Sequence, residues 1–578
     1  MNGRGGIATF FLFLFLSIVI LLQIFSMVQS DRLYEGINRL DEAFKYVGSA
    51  RESEPKTSDI INKEYAGDEG DWLVWGFRVE PKTLNQFSAD NDIYSRWITV
   101  PYIFEPLLVY DFNDLTMKPW LAESYEISDD GKEITFCLRD DIYFSDGVAV
   151  TTDDVIFTYE TAINPEVDAA NVANLYIDVE KAVKVNNRIV KFFLKRPYFK
   201  ALENLCFWDF GILPKHVYEF EDAEKFNKRV SDPVGSGPYV FEKWETGRDV
   251  VLRRNENYWG QKPKLKRIVY RFISNPVAGI QALRSHKADI VIPEPEQFAD
   301  LVKDQDFNKQ FYCLSYWNPG VPFYYIGWNQ DTTFFSDRRV RLAMTHIINR
   351  ERIVADLLKG HGQVISGPFF VKGSQNDPAI KPWPYDLNRA RQLLDEAGWR
   401  DTDGDGLRDK DGKPFRFRFM YSNSYALYER LAKLLKDEAA KVGIEVIPDP
   451  IEWSILLGKV VNREFEAMVM GWGGDILEDF YQVFHSSQIG NRGNNYVGFN
   501  NPQADKLMEQ ARGTMDKTKR DQLSRQLHAI LHREQPYTFL FTRPTFRLVD
   551  RRFENVIVHK LGLKYWQWYV PQNEQRYR

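Results

Sequence analysis

After residue 72 the sequence alternates between short strand-like runs and longer helical runs, and this alternation restricts the fold more than any other feature. Residues 72–77 and 268–273 are rich in the aromatic and β-branched side chains typical of strands. Residues 426–442 repeat apolar side chains at helical spacing and stop at Gly443, before another strand-like run. A helix, a glycine and a strand in succession form an α/β connection, so the pattern predicts sheets flanked by helices.

The length of the chain argues against a single compact core. At 578 residues it exceeds the size at which one hydrophobic core keeps growing, so two or three lobes are expected. A net charge of −6 without a long basic run gives no surface for nucleic acid. The three cysteines are widely separated and lack metal or redox spacing, so no cofactor is predicted. No nucleophile-elbow, phosphate-loop or dinucleotide motif is present, and the chain is predicted not to be an enzyme.

The N-terminal segment predicts the compartment of the protein. Residues 7–28 carry no charge, and a helix of that length measures about 33 Å, enough to span a bilayer. The poor cleavage site at residues 28–30 favours a retained transmembrane anchor, with a cleaved signal segment as the alternative. Arg4, in residues 1–6, places this short N-terminus in the cytoplasm and the body on the periplasmic or extracellular face of the membrane.

Two further segments precede the predicted body. Residues 31–49 carry apolar side chains spaced alternately four and three positions apart, which predicts a juxtamembrane heptad helix. This helix either forms a short coiled coil or packs on the body or the lipid surface, and the sequence leaves both open. Residues 50–71 are polar and lose this period, so they are predicted to form a flexible tether before a body that begins near Trp72.

Five segments of the body follow one another in a recognisable order. They are residues 121–157 (with LAESYEISDDGKEITFCLRD, FSDG and TDDVIF), 234–259 (VGSGPYVFEKW and RNENYW), 329–350 (N, FSDRRVRLAM and INR), 390–399 (A and LLDEAGW) and 471–502 (GWGGD and NYVGFNNP). The first reads physically as a hairpin turned at residues 129–131 and a helix capped near Thr152. Together the five segments resemble the family 5 extracellular solute-binding proteins, the peptide- and nickel-binding subunits of ABC importers.

The resemblance implies an α/β, two-lobed periplasmic-binding-protein-like fold of type II, with an inserted subdomain and a two-segment hinge. The expected divisions are lobe I from residues 72–109, 232–321 and 542–578, the inserted subdomain from residues 110–231, and lobe II from residues 322–541. The implied function is capture of a peptide or related oligomeric solute by closure of the lobes, followed by delivery to an ABC permease and its ATPase. A membrane-anchored sensor without transport and an oligosaccharide-binding importer subunit are the alternatives.

Asp475 is the leading candidate for ligand binding. The resemblance implies that peptide-binding members use an aspartate at this position to hold the α-amino group of the ligand. A carboxylate in a closed cleft makes a strong charge-assisted bond with an ammonium, and Gly473 allows a ligand to approach the backbone. The alternative is that Asp475 caps a turn after a buried strand. Trp472 is predicted to line the pocket, with a core position as an equal alternative.

Loops at strand ends supply the remaining candidates. Tyr421, Asn423 and Tyr425 follow a strand and precede a helix, at the edge where α/β folds bind ligands. This loop lacks the arginine that the dipeptide receptors use for the C-terminal carboxylate, which leaves longer peptides or an oligosaccharide open. Ser88 and Asp90 follow the opening strand and are predicted to add polar contacts, with a plain surface loop as the alternative.

An acidic segment at residues 401–412 resembles a calcium-binding loop. Asp401, Asp403, Asp405 and Asp409 occupy ligand positions, but Gly412 stands where the loop requires a bidentate glutamate. A solvated acidic hairpin is therefore preferred over a weak calcium site, and no metal is predicted.

Overall fold

The computed structural model describes residues 67–490 and 493–577. The predicted anchor, the heptad helix and most of the tether lie outside these residues. In the part of the chain that is described, no helix combines the length and the apolar character needed to cross a membrane. Two large sheets, one smaller sheet and their helices make up the body, which confirms the predicted α/β alternation.

The first large sheet has seven strands that come from three separate parts of the chain. In spatial order they are Phe311–Tyr316, Thr545–Asp550, Ile290–Val291, Trp72–Phe77, Arg267–Phe272, Asp249–Arg254 and Tyr239–Glu245. The opening strand, Trp72–Phe77, runs parallel to both of its neighbours, so connections between them pass over the faces of the sheet. The helices of this region are Ile93–Thr99, Pro276–Arg284, Pro295–Leu301 and Gln305–Gln310.

The second large sheet has six strands. In spatial order they are Gln363–Val364, Tyr537–Thr542, Phe323–Trp328, Ala467–Trp472, Arg416–Ser422 and Glu445–Ile451. Apolar cores cover both of its faces. Its helices are Arg338–His346, Arg350–Arg352, Leu387–Glu396, Ala426–Ala440, Trp453–Val461, Tyr481–Phe484, Pro502–Arg512 and Lys517–Glu534. The helix predicted to stop before Gly443 ends at Ala440, and Gly443 has a φ of +76°, which favours glycine.

The smaller sheet has four antiparallel strands, in the spatial order Ala122–Ile127, Glu133–Leu138, Ile189–Leu194 and Val179–Lys184. The predicted hairpin is confirmed, with Gly131 at a φ of +67° in its turn. The helices are Thr152–Ile163, Ala170–Ala173, Ala201–Leu205, Lys215–Tyr218 and Ala223–Asn227. Thr151 caps the first of them and donates its backbone N–H to the Asp154 carboxylate at 2.8 Å. One apolar core joins this sheet to the seven-stranded sheet.

Three short strand pairs complete the described secondary structure. They are Leu108–Tyr110 with Met117–Pro119, Asp409–Lys410 with Lys413–Pro414, and Val558–His559 with Gly562–Leu563. The second pair forms a hairpin that begins within the acidic segment described above, at Asp409.

The chain passes between the two large sheets twice. Residues 317–322 form one crossing, and Arg543 and Pro544 alone separate the strands Tyr537–Thr542 and Thr545–Asp550 in the other. The Thr542 hydroxyl donates to the Pro322 carbonyl at 2.9 Å, so the crossings lie side by side. Two adjacent crossings of this kind form a hinge about which two lobes can close.

The folded body begins earlier than the sequence predicted. Asp71 is fully buried and forms an ion pair with Arg552, and the N–H of Gly70 donates to the Lys264 carbonyl at 3.0 Å. The compact unit spans Gly67–Arg578. The tether predicted for residues 50–71 was therefore wrong at its C-terminal end. Asp71 looks like one more polar residue of a polar run because its partner lies 481 positions away.

Candidate functional site

The loop after the strand Ala467–Trp472 carries Asp475 to the junction of the two lobes. A Cβ atom added to Gly474 would overlap the Pro319 carbonyl oxygen, so only glycine lets this loop pack against the crossing. The Asp475 side chain is 37% exposed, and one of its oxygens accepts the backbone N–H of Ile476 at 2.7 Å. Asp475 thus lies beside the hinge with part of its carboxylate accessible.

Lys200 faces Asp475 from the region of the smaller sheet. It immediately precedes the helix Ala201–Leu205 and forms ion pairs with Asp475 and, at 3.2 Å, with Glu203. Its side chain is only 11% exposed, so its ammonium group is withdrawn from most of the solvent. Tyr110 donates its hydroxyl to the second oxygen of Glu203. Lys200 therefore connects the two sides of the junction.

Three carboxyl groups and one ammonium lie in a group that we call the acidic end: Asp475, Glu478, Glu203 and Lys200. Burial raises the pKa of Glu203 to about 8; the Lys200 charge opposes this rise and the Asp475 charge adds to it. Desolvation and the charge of Asp475 also raise the pKa of Glu478, again against the effect of Lys200. Three carboxylates share one ammonium, so the acidic end favours either a proton or a further cation.

A second polar contact joins the same two regions a short distance along the loop. The Tyr198 hydroxyl donates to Asp479 at 2.8 Å, and Arg512 forms an ion pair with Asp479 at 3.0 Å. The Arg512 guanidinium stacks 4.2 Å from the centre of the Tyr198 ring, and its carbonyl accepts the Phe199 N–H at 3.0 Å. The Asp479 carboxylate therefore contacts both Tyr198 and Arg512, and its bond with Tyr198 connects the two regions.

Aromatic side chains face one another across another part of the junction. Trp75 and Trp97 stack with ring centres 5.9 Å apart beneath Tyr94, which belongs to the helix Ile93–Thr99. Burial and the neighbouring Tyr425 hydroxyl raise the pKa of Tyr94. Tyr425 in turn packs on Tyr428, with ring centres 5.4 Å apart. The junction of the lobes therefore has an acidic end and an aromatic wall, a combination that suits an amphipathic solute with a cationic group.

Comparison with known proteins identifies the family. A profile of the bacterial extracellular solute-binding proteins, family 5, matches residues 116–494, which is more than half of the chain. The chain belongs to family 5. The oligopeptide-binding protein AppA of Bacillus subtilis is 32% identical over 503 residues, covering 84% of this chain and 89% of AppA. The nickel-binding periplasmic protein of Escherichia coli is 26% identical, over 80% of this chain and 87% of its own length.

Solved structures of family 5 proteins share the fold. The structure of Bacillus subtilis AppA in complex with a nonapeptide matches with a TM-score of 0.79 and 30% identity, covering 88% of this chain and all of that one. NikZ of Campylobacter jejuni in complex with Ni(L-His) matches with a TM-score of 0.75 and 26% identity, covering 86% of this chain and 99% of that one. The predicted family and the two-lobed α/β fold are both confirmed.

The family 5 fold brings some of the predicted site residues together at the end of one strand. Trp472 stacks on Tyr496, with ring centres 5.8 Å apart, and its indole N–H lies 3.4 Å from the Tyr537 hydroxyl. The Trp472 side chain is partly exposed, so it is neither fully buried in the core nor fully open to solvent. Gly473 is exposed, and an added Cβ would meet no atom within 4 Å, which leaves its backbone open to a ligand.

The loop predicted at Tyr421, Asn423 and Tyr425 divides between core and cleft. The strand Arg416–Ser422 continues through Tyr421, whose side chain is buried in the core of the six-stranded sheet. Asn423 is exposed, and its backbone N–H donates to the Ile451 carbonyl at 3.0 Å. Tyr425 alone reaches the opposite lobe, where it meets Tyr94.

The remaining predicted residues lie apart from the acidic end. The Asp90 N–H donates to the Ser88 hydroxyl at 3.2 Å, and the Asp90 carboxylate forms an exposed ion pair with Lys82 at 3.4 Å. In the acidic segment, the exposed Asp401, Asp403 and Asp405 each offer an oxygen within 4.8 Å of the others. The Asp409 carboxylate instead accepts the Thr402 hydroxyl at 2.8 Å.

Sequence reasoning missed Lys200, Glu203 and Tyr94. Lys200 and Asp475 are 275 positions apart, and no local pattern marks Lys200 as different from other lysines. Tyr94 lies in a short helix that the sequence pattern did not single out. The available signal was the high content of aromatic residues, 15% of the chain, which indicates an aromatic cavity without locating it.

Proposed function

We propose that this chain is the substrate-binding subunit of an ABC importer, which captures peptides or related solutes between its lobes and presents the closed form to a membrane permease. The observation that carries the proposal is the excess of carboxyl groups over cations at the acidic end. Asp475 and Glu478 lie on one side of the junction, Glu203 lies on the other, and Lys200 is the one ammonium that forms ion pairs there among the described residues.

Closure of the lobes follows from this arrangement. Burial and mutual repulsion favour the protonated form of the carboxyl groups on the facing lobes, and the α-ammonium of a peptide supplies the positive charge that allows them to ionise. A ligand shifts a conformational equilibrium only by the difference between its affinities for the two states. An ammonium that contacts both lobes binds the closed state preferentially and therefore favours closure. The family relationship to peptide-binding proteins such as AppA supports the same ligand class.

A binding role also fits the state of Asp479, a second aspartate in the loop that carries Asp475. Asp479 is held by Tyr198 and Arg512, which leaves it without the freedom that a general acid or base needs. The proposal therefore includes no turnover of the ligand.

The proposal places the protein at the outer face of the cytoplasmic membrane, held there by residues 7–28. This segment lies outside the described residues. Its support is its uncharged length and the poor cleavage site that follows it. N-terminal sequencing of the protein from the membrane fraction tests the anchor, and a mature start at Asp31 in a soluble fraction would contradict it.

Peptides should co-purify with the body. Mass spectrometry of the small molecules released when residues 67–578 are denatured should detect peptides, and titration calorimetry with those peptides should show saturable binding. The stripped protein, tested with an oligosaccharide mixture, is the control for ligand class. Oligosaccharides in place of peptides, or conversion of the added peptide to products, would overturn the assignment.

Binding of an ammonium at the acidic end should release protons near neutral pH. Glu203, with its pKa raised to about 8, is largely protonated at neutral pH, and a second nearby cation lowers that pKa and expels the proton. Because binding releases protons, affinity should rise with pH up to about 8. Calorimetry in buffers with different ionisation heats counts these protons. Zero release for a free peptide, or equal release for its N-acetylated form, would contradict the model of ammonium capture.

A further inference from the structure

Arg547 is a buried cation without a carboxylate partner. It lies in the strand Thr545–Asp550, is 8% exposed and donates to the neighbouring Phe546 carbonyl at 2.8 Å. Its side-chain hydrogen-bond partner is the neutral Tyr565, and its buried Nε–H has no acceptor. Within residues 67–490 and 493–577, no acidic side chain forms an ion pair with it. A guanidinium withdrawn from water without an anion is unfavourable, so this position favours a ligand that supplies one.

Arg543 is a second unpaired arginine, in the two-residue crossing of the hinge. Its guanidinium lies 5.9 Å from the ring centre of Tyr324 and 5.5 Å from that of Phe546. Its Nε–H is buried without an acceptor, and no described residue forms an ion pair with it. Ring faces attract a cation more weakly than a carboxylate does, so both contacts leave the guanidinium available.

Buried arginines elsewhere in this protein are held in different ways. Arg341 donates to four backbone carbonyls, those of Phe335, Ser336, Glu534 and Gln535. Arg552 pairs with two buried aspartates. Arg350 also has a buried Nε–H without an acceptor and donates to the Phe539 and Trp383 carbonyls. What distinguishes Arg543 and Arg547 is that they lie against the aromatic rings at the junction of the lobes.

Both arginines border the aromatic wall at the junction of the lobes. Arg547 stacks 5.9 Å from the ring centre of Trp75 and 5.6 Å from that of Trp97, beside Tyr94. Arg543 lies near Tyr428, which packs on Tyr425, the residue that faces Tyr94 across the junction. A group bound between Tyr94 and Tyr425 would lie within the influence of both guanidinium groups.

We propose that Arg543 and Arg547 form a carboxylate-binding subsite at the hinge, distinct from the acidic end, that takes an anionic group of the bound solute. The planar guanidinium presents paired N–H groups that match a carboxylate, and the surrounding rings exclude water and strengthen the bond. The proposal rests on peptide capture as the function. It supplies, from a different part of the chain, the arginine that the loop at residues 421–425 lacks.

The carboxylate of a peptide comes either from its C-terminus or from an acidic side chain. Calorimetry with a bound peptide, its C-terminal amide and a variant lacking its acidic side chains distinguishes the two sources. Removing the carboxylate that the subsite holds should weaken binding to the unaltered protein by about tenfold to a hundredfold. The other modification should change affinity by less than about threefold.

Two substitutions assign the effect to the arginines. Arg543→Gln and Arg547→Gln should each weaken binding of the free peptide, and the change of ligand should then add little further loss, because both changes delete one interaction. Arg547→Lys is a further variant, which keeps the positive charge in the buried position. Unfolding curves identify any variant that fails to fold. Arg551→Gln, an exposed arginine that donates to the Asn308 carbonyl, is the matched control and should bind normally.

The outcomes separate this proposal from the proposed function. If the unaltered protein binds no peptide, the peptide function fails and the subsite falls with it. If it binds peptides but is indifferent to every carboxylate, and if folded Arg543→Gln binds like the unaltered protein, the subsite alone is overturned.

Discussion

Replacing Asp475 with asparagine should weaken binding of a peptide with a free N-terminus by about one to two orders of magnitude. Hydrogen bonds to buried charged groups contribute roughly 1.5–3 kcal/mol, and asparagine keeps the size of the side chain while removing its charge. The substitution also leaves Lys200 with Glu203 as its remaining ion-pair partner, so a ligand cation meets more repulsion than before. Titration calorimetry with the purified body measures the change.

An N-acetylated peptide provides the second side of a double-mutant cycle. Acetylation should cost a similar factor in the unaltered protein but little in the Asp475→Asn variant, because both changes delete the same interaction. Asp403→Asn removes an exposed carboxylate of the acidic segment and should leave both affinities unchanged. Additive losses, or no loss at all, would mean that Asp475 is a structural residue that caps the turn.

Replacing Arg552 with methionine should lower the free energy of unfolding by about 3–5 kcal/mol, because among the described residues it leaves the buried Asp71 without an ion-pair partner and Asp289 with only Arg576, at 3.4 Å. The Arg552 side chain is 3% exposed and pairs with Asp71 and, at 2.8 Å, with Asp289; both aspartate side chains are fully buried. Burial raises the pKa of Asp289 to about 6 even though Arg552 opposes this rise. Chemical denaturation followed by circular dichroism measures the loss. Arg551→Met, at the exposed neighbouring position, is the control.

The pH dependence of this loss has a definite sign. A carboxyl whose folded pKa lies above its unfolded pKa lowers stability as pH rises through the folded value. Without Arg552 the pKa of Asp289 should rise further, so the loss of stability in the variant should shrink as pH falls from about 7 to about 5.

A protein that starts at Trp72 lacks Asp71 and should also be less stable than one that starts at Gly67. A deficit below about 1 kcal/mol, or one equal to that of the control, would contradict this account.

The sequence by itself determined the features that depend on neighbouring residues. The hairpin at residues 122–138, the glycine after the helix Ala426–Ala440 and the alternation of strands and helices are local, because turn and cap conformations follow from a few adjacent side chains. The five ordered segments identified the family for the same reason, since each preserves a local turn, cap or strand end. Asp475 was predicted as a ligand-binding residue because it matches the position of an aspartate in the peptide-binding members that the chain resembles.

Only the tertiary structure decided which charges meet. Lys200 reaches Asp475 across 275 positions and Asp71 reaches Arg552 across 481, and no local pattern encodes either pair. Tyr421 was misplaced in a loop because the strand continues one residue past it and turns its side chain into the core. The unpaired state of Arg543 and Arg547 is likewise a property of the packed molecule. Partners for a buried charge come from whichever elements the fold brings beside it.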